Sequence, residues 1–366
     1  MEKVLYIGGF EMPDGNAAAQ RVLAIGKSLK PEYEVSFLGI THGSNYQGQF
    51  AGFNYVNLPY PSSRKAWLEH LRGDAELQYI KNTKPDVVIA YNFPAWGLWR
   101  IANFCKKNAI KIFGDITEWY ESNNILKWID TSWRMRSLNK KMDGIIVISS
   151  YLNTYYKGCN CYLMPPTVDN HDAKWSKKVP SDYGQQTTLL YAGSPGRDDK
   201  DRLDNLIRVL INHPSLLLNV VGVTKATFCE AFPEVNVPEN VVFHGRQTHA
   251  NTIAMLVRSD FSIFFRRSSR VNNAGFPTKF VEAQSAGIPV ISSHFSDLDQ
   301  YVEEGKNGFL ARSISAESIE EVLSRVEHLT RQQIHEMHDY TSTLNRFDYR
   351  LYAESLNNFV KNAIRK

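Results

Sequence analysis

The sequence predicts an α/β protein built from two doubly wound, parallel-sheet domains, and three observations predict it. Apolar runs such as Val87-Val88-Ile89-Ala90 show no polar alternation, as a parallel strand covered on both faces requires. Segments with helical apolar spacing lie between these runs and give a βαβ rhythm. The rhythm stops after Pro165-Pro166, in a polar stretch from Asp169 to Gln186 that reads as a linker, and then restarts. A chain of 366 residues has room for two such domains.

Val4 to Ile7 reads as the first strand. A loop over 8–16 follows, then a helix from Ala17 to Leu29 with Val22, Ile25 and Leu29 at helical spacing. Val35 to Gly39, Val87 to Ala90, Ile110 to Phe113 and Gly144 to Ile148 are the next strands. Helices are expected at Glu69 to Lys81, Ala95 to Lys107 and Trp133 to Met142. The second half opens with a strand at Leu189 to Tyr191, a glycine loop, a helix at Leu203 to Ile211 and a strand at Leu216 to Val221. Strands at Val241 to Phe243, Asp260 to Phe265 and Val290 to Ser293 continue it, and helices at Ile319 to Leu329 and Tyr349 to Ile364 close it. The expected domains are 1–165 and 166–348, facing a central cleft, with the helix 349–366 packing back on the first.

Composition removes several function classes. With 43% hydrophobic and 22% charged residues the chain is ordinary globular protein. A net charge of +4, from 42 basic and 38 acidic residues, is too slight for a nucleic-acid binder, and no nucleic-acid motif accompanies it. No apolar run is long enough to span a bilayer, and the first strand follows Met1 within three residues, so a cytoplasmic protein is expected. Cys159-x-Cys161 lacks a second ligand pair at zinc spacing, and the four cysteines read as ordinary thiols.

The segment Asp260 to Val290 carries most of the functional information. Phe261, Ile263 and Phe265 read as a buried strand, Pro277 as the first residue of a helix, and Gly287 as its left-handed stop. First-turn amides near Thr278 and Lys279 have no intrahelical partner, so with Arg266 and Lys279 alongside they form an anion site. Glu282 lies one turn on, on the face of Thr278 and Lys279. Phosphate held by backbone beside a carboxylate for sugar hydroxyls describes a nucleotide-sugar site. The competing reading is a surface ion pair of Lys279 with Glu282, worth about 0.2–0.5 kcal/mol.

Several longer motifs then agree. GFPTKFVEAQSAGIPVISS, DLDQYVEEGKNGFL, YAGSPGRDDK, GGFEMPDGNAAAQRVLAIGKSL and MPPTVD stand in order along nearly the whole chain. Together they resemble the retaining GT-B glycosyltransferases of family four, also called glycosyl transferases group 1. The resemblance implies a GT-B fold and a UDP- or GDP-sugar donor held mainly by the second domain. It also implies transfer with retention to a glycan or lipid-linked acceptor, as in surface polysaccharide synthesis, without a required metal or other cofactor. By position it assigns Arg197, Lys200 and Glu282 to catalysis. Gly15, Gly193, Arg266, Asn273, Gly275, Phe276, Pro277, Thr278 and Lys279 join these three in donor binding. Asp115 and Glu118, after the strand at Ile110, are the acceptor-side candidates, with helix capping by Asp115 or Thr117 as the plainer alternative. Ala274 departs from the family, which has a glutamate there to contact the transferred sugar; Asn272 or Asn273 is the nearest replacement.

Other features are weighed and set lower. Asp297-x-Asp299 imitates a metal-binding triplet of a different glycosyltransferase fold and is read as a loop. The basic, aromatic stretch Trp128 to Lys141, with Arg64, Lys65 and Trp67, raises peripheral association with the inner face of a membrane. The plainer reading packs Trp133, Leu138 and Met142 on the sheet and leaves the cations solvated. A nucleotide-sugar epimerase and an inactive sugar-nucleotide or glycan binder share the expected fold. Gly8-Gly9 lacks the spacing of a dinucleotide fingerprint.

Overall fold

A computed structural model describes residues 1–13, 16–44, 46–175, 186–193 and 201–365. The chain divides into two compact units, Met1–Val168 with Ala274–Phe276 and Asp348–Lys366, and Asp169–Asn273 with Pro277–Phe347. In chain order the first half contains β1 (Glu2–Gly8), α1 (Ala17–Leu29), β2 (Tyr33–Thr41), β3 (Gln47–Phe50), β4 (Phe53–Pro59), α2 (Arg64–Arg72) and α3 (Asp74–Thr83). It continues with β5 (Val87–Tyr91), α4 (Ala95–Lys107), β6 (Lys111–Ile116), α5 (Ile125–Trp133), β7 (Gly144–Val147), α6 (Ser150–Tyr155) and β8 (Cys161–Leu163). The second half begins with β9 (Thr187–Ala192), α7 (Leu203–Leu210), β10 (Leu216–Val221), α8 (Lys225–Ala231), β11 (Val241–Phe243), α9 (His249–Leu256) and β12 (Phe261–Ile263). It ends with α10 (Arg270–Ala274), α11 (Thr278–Ser285), β13 (Val290–Ser293), β14 (Gly308–Ala311), α12 (Ala316–Glu327), α13 (Arg331–Thr343) and α14 (Arg350–Ile364).

The first sheet runs β3-β4-β2-β1-β5-β6-β7-β8, parallel except for the β3–β4 pair. Alternate residues of β1 explain how both faces are covered. Val4 and Tyr6 join Val22, Ile25 and Leu29 of α1 and Leu356 and Val360 of α14, while Leu5 and Ile7 join Ile80, Leu98 and Ile101 on the other face. The Asn357 side chain of α14 also donates to the Ser28 carbonyl at 2.8 Å. The second sheet, β11-β10-β9-β12-β13-β14, is parallel throughout.

Three sequence expectations are corrected. The helix expected from Glu69 to Lys81 is two helices, because Gly73 adopts φ 63°, a left-handed conformation that ends α2. A side chain there would also stand 3.2 Å from the Phe93 ring, so the break is packed as well as turned. The helix expected from Trp133 to Met142 starts earlier, as α5, and continues through a π-helical turn at Arg134–Leu138 and a tight turn at Asn139–Lys141. The linker expected over Asp169 to Gln186 is not all polar spacer: Trp175 is buried and donates its indole N–H to the Asp169 carbonyl at 3.0 Å.

Candidate functional site: a cation cluster at the edge of the second sheet

In a doubly wound sheet, ligands meet the carboxyl ends of the strands. At that edge of the second sheet β9 is followed by Gly193 and β10 by Gly222, and both must be small. Gly222 has φ 111°, and a Cβ on it would lie 2.2 Å from the Gly193 carbonyl oxygen. A Cβ on Gly193 would lie 2.8 Å from Lys279 Nζ. The strand ends therefore bring bare backbone close to a cation.

That cation belongs to a cluster. Lys279 Nζ donates to Asp201 Oδ2 at 2.5 Å, Arg266 Nε to Asp201 Oδ1 at 2.5 Å, and the Tyr191 hydroxyl to Oδ2 at 3.0 Å. Lys279 Nζ also sits 4.7 Å from the centre of the Tyr191 ring and 5.1 Å from that of Phe264. Arg266 is fixed from behind, its N–H donating to Ser293 Oγ, which donates back to the Arg266 carbonyl. Burial pushes the Asp201 carboxyl up, but Lys279 and Arg266 outweigh it and hold it well below the usual carboxylate range. Two cations on one carboxylate leave positive charge at the glycine-lined edge, which suits an anion.

Helix α11 completes this edge. Its cap is Pro277 itself, so the proline stands one residue earlier than expected and Thr278 opens the helix. Pro277 offers no side-chain cap, and the early Phe280 N–H turns back to the Pro277 carbonyl at 3.1 Å. The stop is as read from sequence. Gly287 has φ 70°, its N–H donates to the Gln284 carbonyl, and the Ile288 N–H donates to the Ala283 carbonyl at 2.8 Å. Glu282, one turn along, pairs with His249 Nε2 at 3.0 Å with its side chain 18% exposed. The surface pairing of Lys279 with Glu282 does not form; the lysine goes to Asp201 and the glutamate to His249.

The other expected residues scatter in role. Asn273 braces its own loop, accepting from the Ser296 N–H at 2.9 Å and donating to Ser268 Oγ at 3.1 Å. Asn272 is tied to the Arg267 carbonyl, and Ala274 is fully buried. Phe276 is buried beside Gly275. Asp115 is a buried residue, with Arg21 Nη2 at 2.7 Å and the Tyr6 hydroxyl at 2.5 Å on its carboxylate, and it does not cap a helix. Glu118 is half-buried two residues past the end of β6. Gly15, Arg197 and Lys200 lie outside the described residues. Asp299 of the D-x-D triplet pairs with His294 Nδ1 at 2.5 Å. A cavity of about 790 Å³ lined by Lys306, Phe309, Arg325 and Tyr340 shares no residue with the cluster.

Sequence reasoning missed Asp201, Tyr191 and His249. Asp201 sat at the end of a charged run, Arg197 to Asp201, in which only the cations drew attention. Its burial to 3% depends on Arg266 and Lys279, which are distant in sequence. On the first sheet Asn92, just past β5, has φ 42° and donates to Thr117 Oγ1 at 2.6 Å. Asparagine tolerates that left-handed backbone, and the residue marks the carboxyl edge there.

Two Rossmann-like, parallel-sheet units of this kind define the GT-B class of fold. Residues 177–342 match the family model described as glycosyl transferases group 1. Among solved structures, sucrose-phosphate synthase (tll1590) from Thermosynechococcus elongatus is similar at 14% identity and TM-score 0.75, covering 100% of both chains. Anabaena Alr3699/HepE in complex with UDP-glucose is similar at 14% identity and TM-score 0.72, over 99% of this chain and 100% of that one. The lipopolysaccharide outer core galactosyltransferase WaaB, in its apo form, reaches 17% identity and TM-score 0.67 over 98% and 99%. No curated protein matches the chain by sequence.

Proposed function

We propose that this protein is a retaining glycosyltransferase that takes a sugar from a nucleotide diphosphate to a glycan or lipid-linked glycan, in the cytoplasmic assembly of a surface polysaccharide. The observation that carries the reading is the convergence of Lys279 and Arg266 beside Gly193 and Gly222. Anabaena HepE, of the same fold, is solved with UDP-glucose, which makes a UDP-sugar the first donor to try. In the proposed reaction the bond from the anomeric carbon to the diphosphate breaks and the acceptor oxygen bonds to the same face. Charge grows on the departing diphosphate, and fixed cations with helix amides can meet it without rearranging. Lys279, Arg266 and the Thr278 end of α11 take that role, to which the family resemblance adds Arg197 and Lys200, while Glu282, steadied by His249, receives the ribose hydroxyls. A phosphate oxygen accepts the acceptor proton, so no protein base is assigned.

Calorimetric titration with UDP and GDP tests the donor site. Lys279→Ala and Glu282→Ala are each expected to weaken binding of the preferred nucleotide at least about tenfold, the range for a lost charge-assisted contact. Wild-type affinity in both variants would place the donor elsewhere. NMR of the anomeric proton after incubation with acceptor extract reports retention, and a changed donor sugar without acceptor would favour an epimerase.

A further inference from the structure

Helices α2, α4 and α5 carry an apolar surface that the first unit leaves uncovered. None of the nine residues of α2 is buried, although Trp67, Leu68 and Leu71 are among them. Of the nine residues of α5 only Thr131 is buried, and Ile125, Leu126, Trp128, Ile129 and Trp133 are 38–73% exposed. A helix apolar around most of its circumference is normally enclosed. Between α4 and α5 runs an open groove of about 500 Å³ lined by Trp96, Trp99, Leu126, Ile129, Asp130 and Trp133. The Arg72 guanidinium, 5.8 Å from the Trp96 ring centre, joins α2 to the same surface. Packing Trp133 on the sheet, the plainer sequence reading, is therefore corrected; of that set Leu138 is buried and Trp133 is 38% exposed.

The kind of residue narrows the occupant. Five of the chain's seven tryptophans lie on these three helices and are 38–54% exposed, while Trp119 and Trp175 are buried at 6%. Tryptophan concentrates where one end of a side chain meets hydrocarbon and the other meets water. The surrounding charge is also one-sided. Arg64, Lys65, Arg72, Lys127 and Arg136 outnumber Glu69, Asp74 and Asp130, with Lys65 3.9 Å from Glu69 and Arg72 3.4 Å from Asp74. Asp130 is already occupied with the Ala95 N–H at the start of α4, and Asp74 with Arg100. A second copy placed over this surface by a twofold axis would set these cations against themselves. An anionic lipid surface accepts both the rings and the charge.

We infer that the face formed by α2, α4 and α5 docks on an anionic phospholipid bilayer, with its tryptophans at the headgroup level. This goes beyond the donor site and needs no sugar nucleotide to be tested.

The full-length protein is floated with vesicles of phosphatidylcholine alone, and of phosphatidylcholine and phosphatidylglycerol in equal parts. Binding to the anionic vesicles is expected to be at least about tenfold stronger, with a blue shift of tryptophan emission and quenching by brominated lipid. It should fall steeply when salt shortens the Debye length to about 3 Å. Leu126→Ser with Ile129→Ser, at exposed positions, should cut binding about tenfold or more without changing Tm, and Lys65→Glu about fivefold or more. No binding to anionic vesicles, or equal binding by folded variants, overturns the proposal. So does a dimer by light scattering that the serine variant dissolves, which would assign the face to a second copy.

Discussion

Asp201 is the residue on which the proposed donor site turns, because both cations of the cluster converge on its carboxylate. Removing its charge with Asp201→Asn strands Lys279 and Arg266. The expected loss is about 3 kcal/mol, at the low end for stranded charge because the Arg266 side chain is 21% exposed. A diphosphate can supply the missing negative charge, so UDP should raise the Tm of this variant more than that of the wild type; an equal rise would dissociate Asp201 from the donor site. Glu76 is a second buried carboxylate with the opposite sign. Burial pushes it up to about 7, its Oε2 lacks a partner, and His70 Nδ1 stands 3.9 Å from its other oxygen. From about pH 4.3 to that value the folded chain keeps a proton that the unfolded chain has lost. Stability therefore falls as pH rises through this window, by about 4 kcal/mol in all. Glu76→Gln should gain about that much near pH 8 and nothing near pH 4, read by urea denaturation; a gain independent of pH would rule out the titration.

Elements were legible where one physical signal sufficed. The helix from Ala17 to Leu29 and the strand from Leu216 to Val221 have the bounds their apolar spacing indicated. The stop of α11 was legible too, since Gly287 alone supplies the left-handed turn. Failures came where tertiary contacts decide. Between Glu69 and Lys81 the apolar spacing continues through Gly73, and only the packing of Phe93 shows that the glycine is a corner. Of the antiparallel pair, the edge strand β3 is exposed along nearly all its length and so carries no apolar alternation, whereas β4 alternates and was overlooked. The buried environment of Asp115 was illegible for the same reason. Its place near the end of a strand resembles a ligand contact, and its partners Tyr6 and Arg21 are about a hundred residues away in sequence.

For the whole molecule the fold class followed from rhythm alone, because two runs of βαβ units separated by a polar break admit few architectures. What rhythm could not carry was which face remains bare, since Trp133 has the spacing of a packed residue and the exposure of an unpacked one. The two units also differ in their reliance on the C-terminal helix. Leu356 and Val360 of α14 are fully buried in the core of the first unit, and Phe359 stacks on Tyr162 at 5.4 Å. Truncation at Phe347 should strip hydrogen-exchange protection from β1, β2 and α1 while β9 and β10 keep theirs. Uniform loss in both would mean the units unfold together.

The bridge between Val168 and Asp348 extends this point. The Tyr349 N–H donates to the Val168 carbonyl at 3.0 Å, so the chain leaving the first unit and the chain re-entering it are fastened side by side. The segment 169–347, which holds the second unit and the three residues Ala274–Phe276 of the first, is thus an insertion with adjacent ends, and its host is a chain whose own N- and C-terminal pieces fold together. For protein engineering that makes it a cassette: the second unit can be exchanged between such chains through two splice points at a single neck, with Ala274–Phe276 kept matched to the tryptophan-bearing host.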